Sequence, residues 1–134
     1  MTILDESPPV NSGAEARTRV FDLIGRAIRR QLWVMVLDAH GYQLPLLIPI
    51  GDIPVRPEPG DLAPAGASMC ALLSEYAPGG SVILILERPG TAELTATDRA
   101  WSGELATAFA SVRITGIFIA HDEGVAPLAP VLGV

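Results

Sequence analysis

Apolar residues are distributed along this chain in two patterns, one periodic and one continuous. Between Ala14 and Arg30, Val20, Leu23, Ile24, Ala27 and Ile28 recur at helical spacing, with Arg17, Arg19, Arg26, Arg29 and Arg30 on the remaining surface. The spacing predicts an amphipathic first helix over 14–30 whose C-terminal arginines complement the helix dipole. Its basic face is either solvated charge or a docking surface for an acidic partner.

Leu32 to Leu37 is a continuous apolar run rich in β-formers, the signature of a strand covered on both faces. Asp38-Ala39-His40-Gly41 predicts a turn, and Tyr42 to Ile50 the returning strand of a hairpin. Pro45 and Pro49 cannot donate ladder hydrogen bonds, which places that strand at an edge or gives it an irregular end. The Pro- and Gly-rich stretch from Gly51 to Pro64 predicts a long loop. Ala65 to Tyr76 carries Met69, Leu72, Leu73 and Tyr76 near one face and predicts a helix stopped by Pro78-Gly79-Gly80. Cys70 reads as a small core hydrophobe on it.

Ser81 to Leu86 is a second fully apolar strand. Thr95 to Val112 predicts a helix opened by a Thr95–Asp98 capping pair, with Trp101, Leu105 and Phe109 on its buried face. Ile114 to Ala120 predicts another buried strand, and after a turn at Asp122 to Gly124 the tail predicts a short edge strand or an extended segment. The order α, β, β, loop, α, β, α, β implies an α/β fold with a mixed sheet: a leading hairpin, then strands in parallel through right-handed crossovers. Residues 1–13 read as a flexible tail and 14–134 as a single domain.

Composition narrows the function classes. At 134 residues the chain is large enough to bury one core without disulfides. A net charge of -6 disfavours nucleic acid, because phosphate neutralisation needs surplus Lys and Arg on the contact face. Cys70 is the sole cysteine, so neither an intrachain disulfide nor a Cys-rich zinc site can form, and a reducing cytoplasm is the expected compartment. The acidic, Pro-bearing N-terminus has no signal-peptide pattern, and no apolar run approaches the roughly 20 residues of a membrane span, so no membrane partner is expected.

Chemistry has few candidates. Glu87 and Arg88 follow the second apolar strand at its C-terminal end, where open α/β sheets place ligands. They either pair with Asp98 or Arg99 at the turn or line a ligand cleft with Asp98 and His121. His40 beside Asp38, and His121 beside Asp122 and Glu123, would offer nitrogen and oxygen metal ligands if their two turns met. No Gly-rich phosphate loop and no nucleophile elbow is present. Trp33 and Trp101 read as packing residues.

From Leu32 to Gly124 the chain resembles the JAMM/MPN metalloprotease-like domains, in particular their RadC-like branch. The strings that carry the likeness are Leu37-Asp38, Ile50-Gly51, the apolar strand running into Pro89, Thr95-Ala96-Thr97-Asp98 opening a helix, and Gly116-Ile117 entering the last long strand. The resemblance implies a cytidine-deaminase-like three-layer sandwich, a mixed sheet with flanking helices. In that family the strand ends in His-x-His-Pro, an Asp follows after ten intervening residues, and a Glu on the hairpin takes the proton of a zinc-bound water. Here Leu86 and Arg88 stand at the histidine positions, and no carboxylate lies within Pro45 to Leu47. Asp98 is the retained ligand candidate, with nine intervening residues rather than ten. Arg88 adds a permanent positive charge where the cation would sit. A deaminase site fails by count, since it needs a Pro-Cys-x-x-Cys pair.

The expectation is therefore a pseudoenzyme with no catalytic residues, metal or cofactor, serving as a scaffold, protein-interaction or homodimerisation domain. Its contact surface is expected near Tyr42 to Ile50 or on the C-terminal tail. The alternative is a ligand-binding protein or hydrolase reusing the former cleft around Glu87, Arg88 and Asp98.

Overall fold

The computed structural model describes residues 8–128. The chain runs α1 (Gly13–Leu23), β1 (Gln31–Leu37), β2 (Gln43–Ile50), α2 (Ala63–Tyr76), β3 (Ser81–Glu87), α3 (Ala96–Ala108), β4 (Ile114–His121) and β5 (Gly124–Pro127). The strands form one mixed sheet in the order β2-β1-β3-β4-β5, making this an α/β fold. β1 is antiparallel to both β2 and β3, β3 is parallel to β4, and β5 returns antiparallel on β4.

The continuous apolar runs become the three inner strands because helices cover both sides of the sheet. On one side Val34, Val36, Leu84, Leu86 and Ile119 pack with Met69 and Leu73 of α2 and with Trp101, Leu105 and Phe109 around α3. On the other, Met35, Leu37, Ile83, Ile85, Phe118 and Ala120 pack with Ala16 and Val20 of α1. Every residue of β3 is buried. The alternation also assigns its last residues: Glu87 falls on the α1 side, and Arg88 continues the α3 side.

Both prolines of β2 lie on an edge strand, as the missing donors require. Between the pairs Met35–Leu47 and Leu37–Gln43 the single residue Val36 faces three, Leu44 to Leu46, so Pro45 sits inside a bulge. Helices α2 and α3 meet at Gly66. A Cβ there would lie 1.8 Å from the carbonyl oxygen of Ala108, so only glycine permits the approach. Trp101 reaches across with its indole N–H to the Val55 carbonyl at 2.9 Å, tying the long loop to α3.

The first helix is shorter than its periodicity predicts. It stops at Leu23, with Gly25 in the left-handed region at φ 71°, and residues 26–30 approach β1 as irregular chain. Arg26, Arg29 and Arg30 therefore lie off the helix. Arg19 is buried, donating to Gln43 Oε1 at 3.0 Å and to the Pro8 carbonyl, so the five arginines do not share one helical face. The docked chain also begins earlier than residue 14. Val10 is buried with its N–H on the Gly41 carbonyl at 2.8 Å, and Ser12 caps α1 through the Glu15 N–H at 3.1 Å. Residues 1–7 of the expected tail, and 129–134 at the other end, lie outside the described residues. Among the described residues no helix is long and apolar enough to cross a membrane.

Candidate functional site

At the C-terminal end of β3 two consecutive charged side chains are buried, and each is satisfied on its own side of the sheet. Glu87, 2% exposed, has no cationic partner among the described residues. Four neutral donors hold it instead: the Ile28 and Arg29 N–H groups on Oε2 at 2.8 and 3.2 Å, and Gln31 Nε2 and Trp33 Nε1 on Oε1, both at 2.8 Å. Gln31 stands directly opposite Glu87 in the ladder and Trp33 two residues further along β1, so the sheet register aims both side chains at the carboxylate. Burial pushes the Glu87 carboxyl upward, but the hydrogen bonds outweigh it and hold the group below the usual carboxylate range. The carboxylate thus fastens the irregular segment after α1 onto the sheet.

Arg88 is inserted between the end of β3 and the start of α3. Its Nε and Nη2 donate to Asp98 Oδ1 and Oδ2 at 3.1 and 2.8 Å, a two-pronged pair with side chains 5% and 1% exposed. Nη1 donates to the Thr91 carbonyl at 2.6 Å and Nη2 also to the Glu93 carbonyl at 3.0 Å. The loop closes over the guanidinium at Gly90, φ 127°, where a Cβ would stand 3.0 Å from Nη1. Asp98 in turn completes the predicted capping box: its N–H donates to Thr95 Oγ1, and its Oδ2 accepts from the Thr95 N–H at 2.9 Å. Burial raises the Asp98 carboxyl, yet the Arg88 and Thr95 hydrogen bonds and the arginine charge hold it below its ordinary range.

The four residues named from the sequence do not converge on one cleft. Glu87 and Arg88 are consecutive on an extended strand and serve opposite faces of the sheet. Asp98 is spent on Arg88 and Thr95, while His121 lines a different cavity, between α1 and β5. The two histidine turns do not meet either. His40 follows β1 at the Ser81 end of β3, and His121 ends β4 at the Glu87 end, so the length of β3, about 20 Å, separates them. Asp38 instead shapes its own turn, its Oδ1 accepting the His40 and Tyr42 N–H groups, both at 2.9 Å. Among the described residues no three His, Cys, Asp or Glu side chains gather as a metal site.

The zinc implied by the resemblance does not fit the side chains present. Leu86 is an aliphatic core residue, and Arg88 presents a cation bonded to the carboxylate that would serve as ligand. No catalytic step is derived through that group. Gln31, Trp33 and the 28–29 backbone were invisible as partners of Glu87 because 54 to 59 residues separate them from it. The sequence also gave no signal for the apolar cavity under α1. Comparison with models of known families, with curated proteins and with solved structures gives no match.

Proposed function

We propose that the chain is a non-catalytic JAMM/MPN-like domain of the RadC-like branch, with a cytidine-deaminase-like three-layer arrangement, and that it works as a protein-interaction scaffold by pairing with a second copy. The observation that carries this reading is the Arg88–Asp98 pair. At the end of the strand where the resemblance calls for histidines and a metal, a guanidinium fills the space and an aspartate neutralises it. Helices on both faces of a mixed sheet, with the hairpin strand at its edge, support the fold assignment. So does the capping box at the position of the family's Ser-x-x-Asp helix start.

Support for pairing comes from β2. From Tyr42 to Ile50 there is no charged residue; Tyr42, Pro45 and Pro49 are exposed, and Leu46, Leu47 and Ile48 are half-buried. Edge strands of lone proteins are guarded against strand addition by charge, proline or bulges, and charge also keeps their side-chain surface polar. Here prolines block strand addition while the side chains stay apolar, which suits contact through the side-chain surface.

Light scattering coupled to gel filtration, from micromolar to near-millimolar protein, tests the reading. The expected result is a dimer that a Tyr42→Glu, Pro49→Lys double variant converts to a folded monomer. A wild-type monomer at every concentration, or a dimer indifferent to the double variant, would contradict it.

A further inference from the structure

At the β4–β5 edge of the sheet, α1 stands off the strands and leaves a cavity of about 890 Å³ lined from α1 and from both faces of β4 and β5. Its walls are largely apolar, formed by Phe21, Phe118 and Pro127 among others, and Arg17, His121 and Glu123 bring polar groups to it. The size is that of a small-molecule pocket. Two glycines shape it. A Cβ on Gly116 would lie 2.7 Å from the Phe118 ring, and Gly124, at φ 144°, takes a backbone conformation that L side chains rarely adopt.

The polar groups are arranged as donors. His121 is 5% exposed, and its Nδ1 accepts the Glu123 N–H at 3.1 Å. In the neutral ring the proton therefore sits on Nε2, and that N–H has no hydrogen-bond partner among the described residues. Arg17 is fixed by one atom: its Nε donates to the Val125 carbonyl at 2.7 Å, leaving both terminal nitrogens without a partner among the described residues. Val125 pairs with Ala120 beside the β4–β5 turn, so the arginine is anchored on the edge strand, and both Arg17 and His121 line the same cavity. Glu123, the acidic side chain at the rim, is exposed and makes no ion pair among the described residues.

We propose that this cavity binds a small monocarboxylate with an apolar body, its carboxylate held by the Arg17 guanidinium and the His121 Nε2–H. The terminal guanidinium nitrogens and the imidazole N–H, on two residues that line the cavity and without a protein acceptor among the described residues, match a carboxylate, and the aromatic and proline walls match a hydrocarbon body. A cationic head would meet the Arg17 charge, with the exposed Glu123 as the one acidic side chain in the lining.

The test is an NMR titration of the full-length protein with sodium octanoate and, separately, with octylammonium chloride. Octanoate should give saturable, one-to-one shifts of the His121 ring, the Arg17 Nε–H and the Phe118 ring, and octylammonium should not saturate. Arg17→Gln and His121→Leu should each raise the octanoate Kd about tenfold or more, the change expected for losing one charge-assisted hydrogen bond. Arg17 is exposed, so its variant keeps the test interpretable should the buried His121 variant fold poorly. No saturable shift with octanoate would overturn the proposal. Equal binding of both head groups, or an Arg17→Gln variant that binds octanoate as wild type does, would also overturn it.

Discussion

Glu87 shows what a buried charge can do without an opposite charge. Four neutral donors, two of them backbone, take the place of a cation and still hold the carboxyl ionised. Because its folded-state value is depressed, the stability it contributes is present above the unfolded-state value and is lost as pH falls through the folded one. In Glu87→Gln the amide oxygen replaces two acceptor oxygens, leaving donors unmet at a cost of about 2–4 kcal/mol at neutral pH. Urea denaturation should therefore show a wide gap between wild type and variant near neutrality that narrows as pH falls below about 4. Asp98 is depressed too, so the variant retains part of the acid dependence. A gap of constant width from neutral to acid pH would show that the carboxylate is not what the donors stabilise.

Elements were legible where one pattern ran unbroken and obscure where chain contacts replaced it. LWVMVL, SVILIL and ITGIFIA mark the inner strands because a strand buried on both faces favours apolar residues along its length. The Thr95–Asp98 cap was readable because its parts are local. The end of α1 was misread because Ala27 and Ile28 continue the helical spacing by coincidence. Their backbone is held by His121, whose carbonyl accepts the Ala27 N–H at 3.0 Å, and by Glu87, which accepts the Ile28 N–H at 2.8 Å. Gly25 was the available signal. The α2–α3 contact was equally silent, since nothing local marks Gly66 as a crossing point. Gly66→Ala should cost about 1–3 kcal/mol, because the added methyl meets backbone, which cannot rotate away. Thermal unfolding by circular dichroism measures it; an unchanged midpoint would mean that the helices part freely.

For the whole molecule, the charged residues singled out from the sequence proved to be fasteners on two sides of the sheet. Glu87 ties α1's connection to β1 and β3, and Arg88 ties β3 to α3 through Asp98. Their chemical types were visible in the sequence, but their separation was not, because it follows from strand parity once the register is fixed. Central to the proposed function is the exclusion, by the Arg88 guanidinium, of the metal that the resemblance implies. Its most direct test is elemental analysis of the protein produced in zinc-supplemented medium and freed of loosely held ions. The prediction is substoichiometric zinc, unchanged in Asp98→Asn. One zinc per chain, lost in Asp98→Asn, would contradict it.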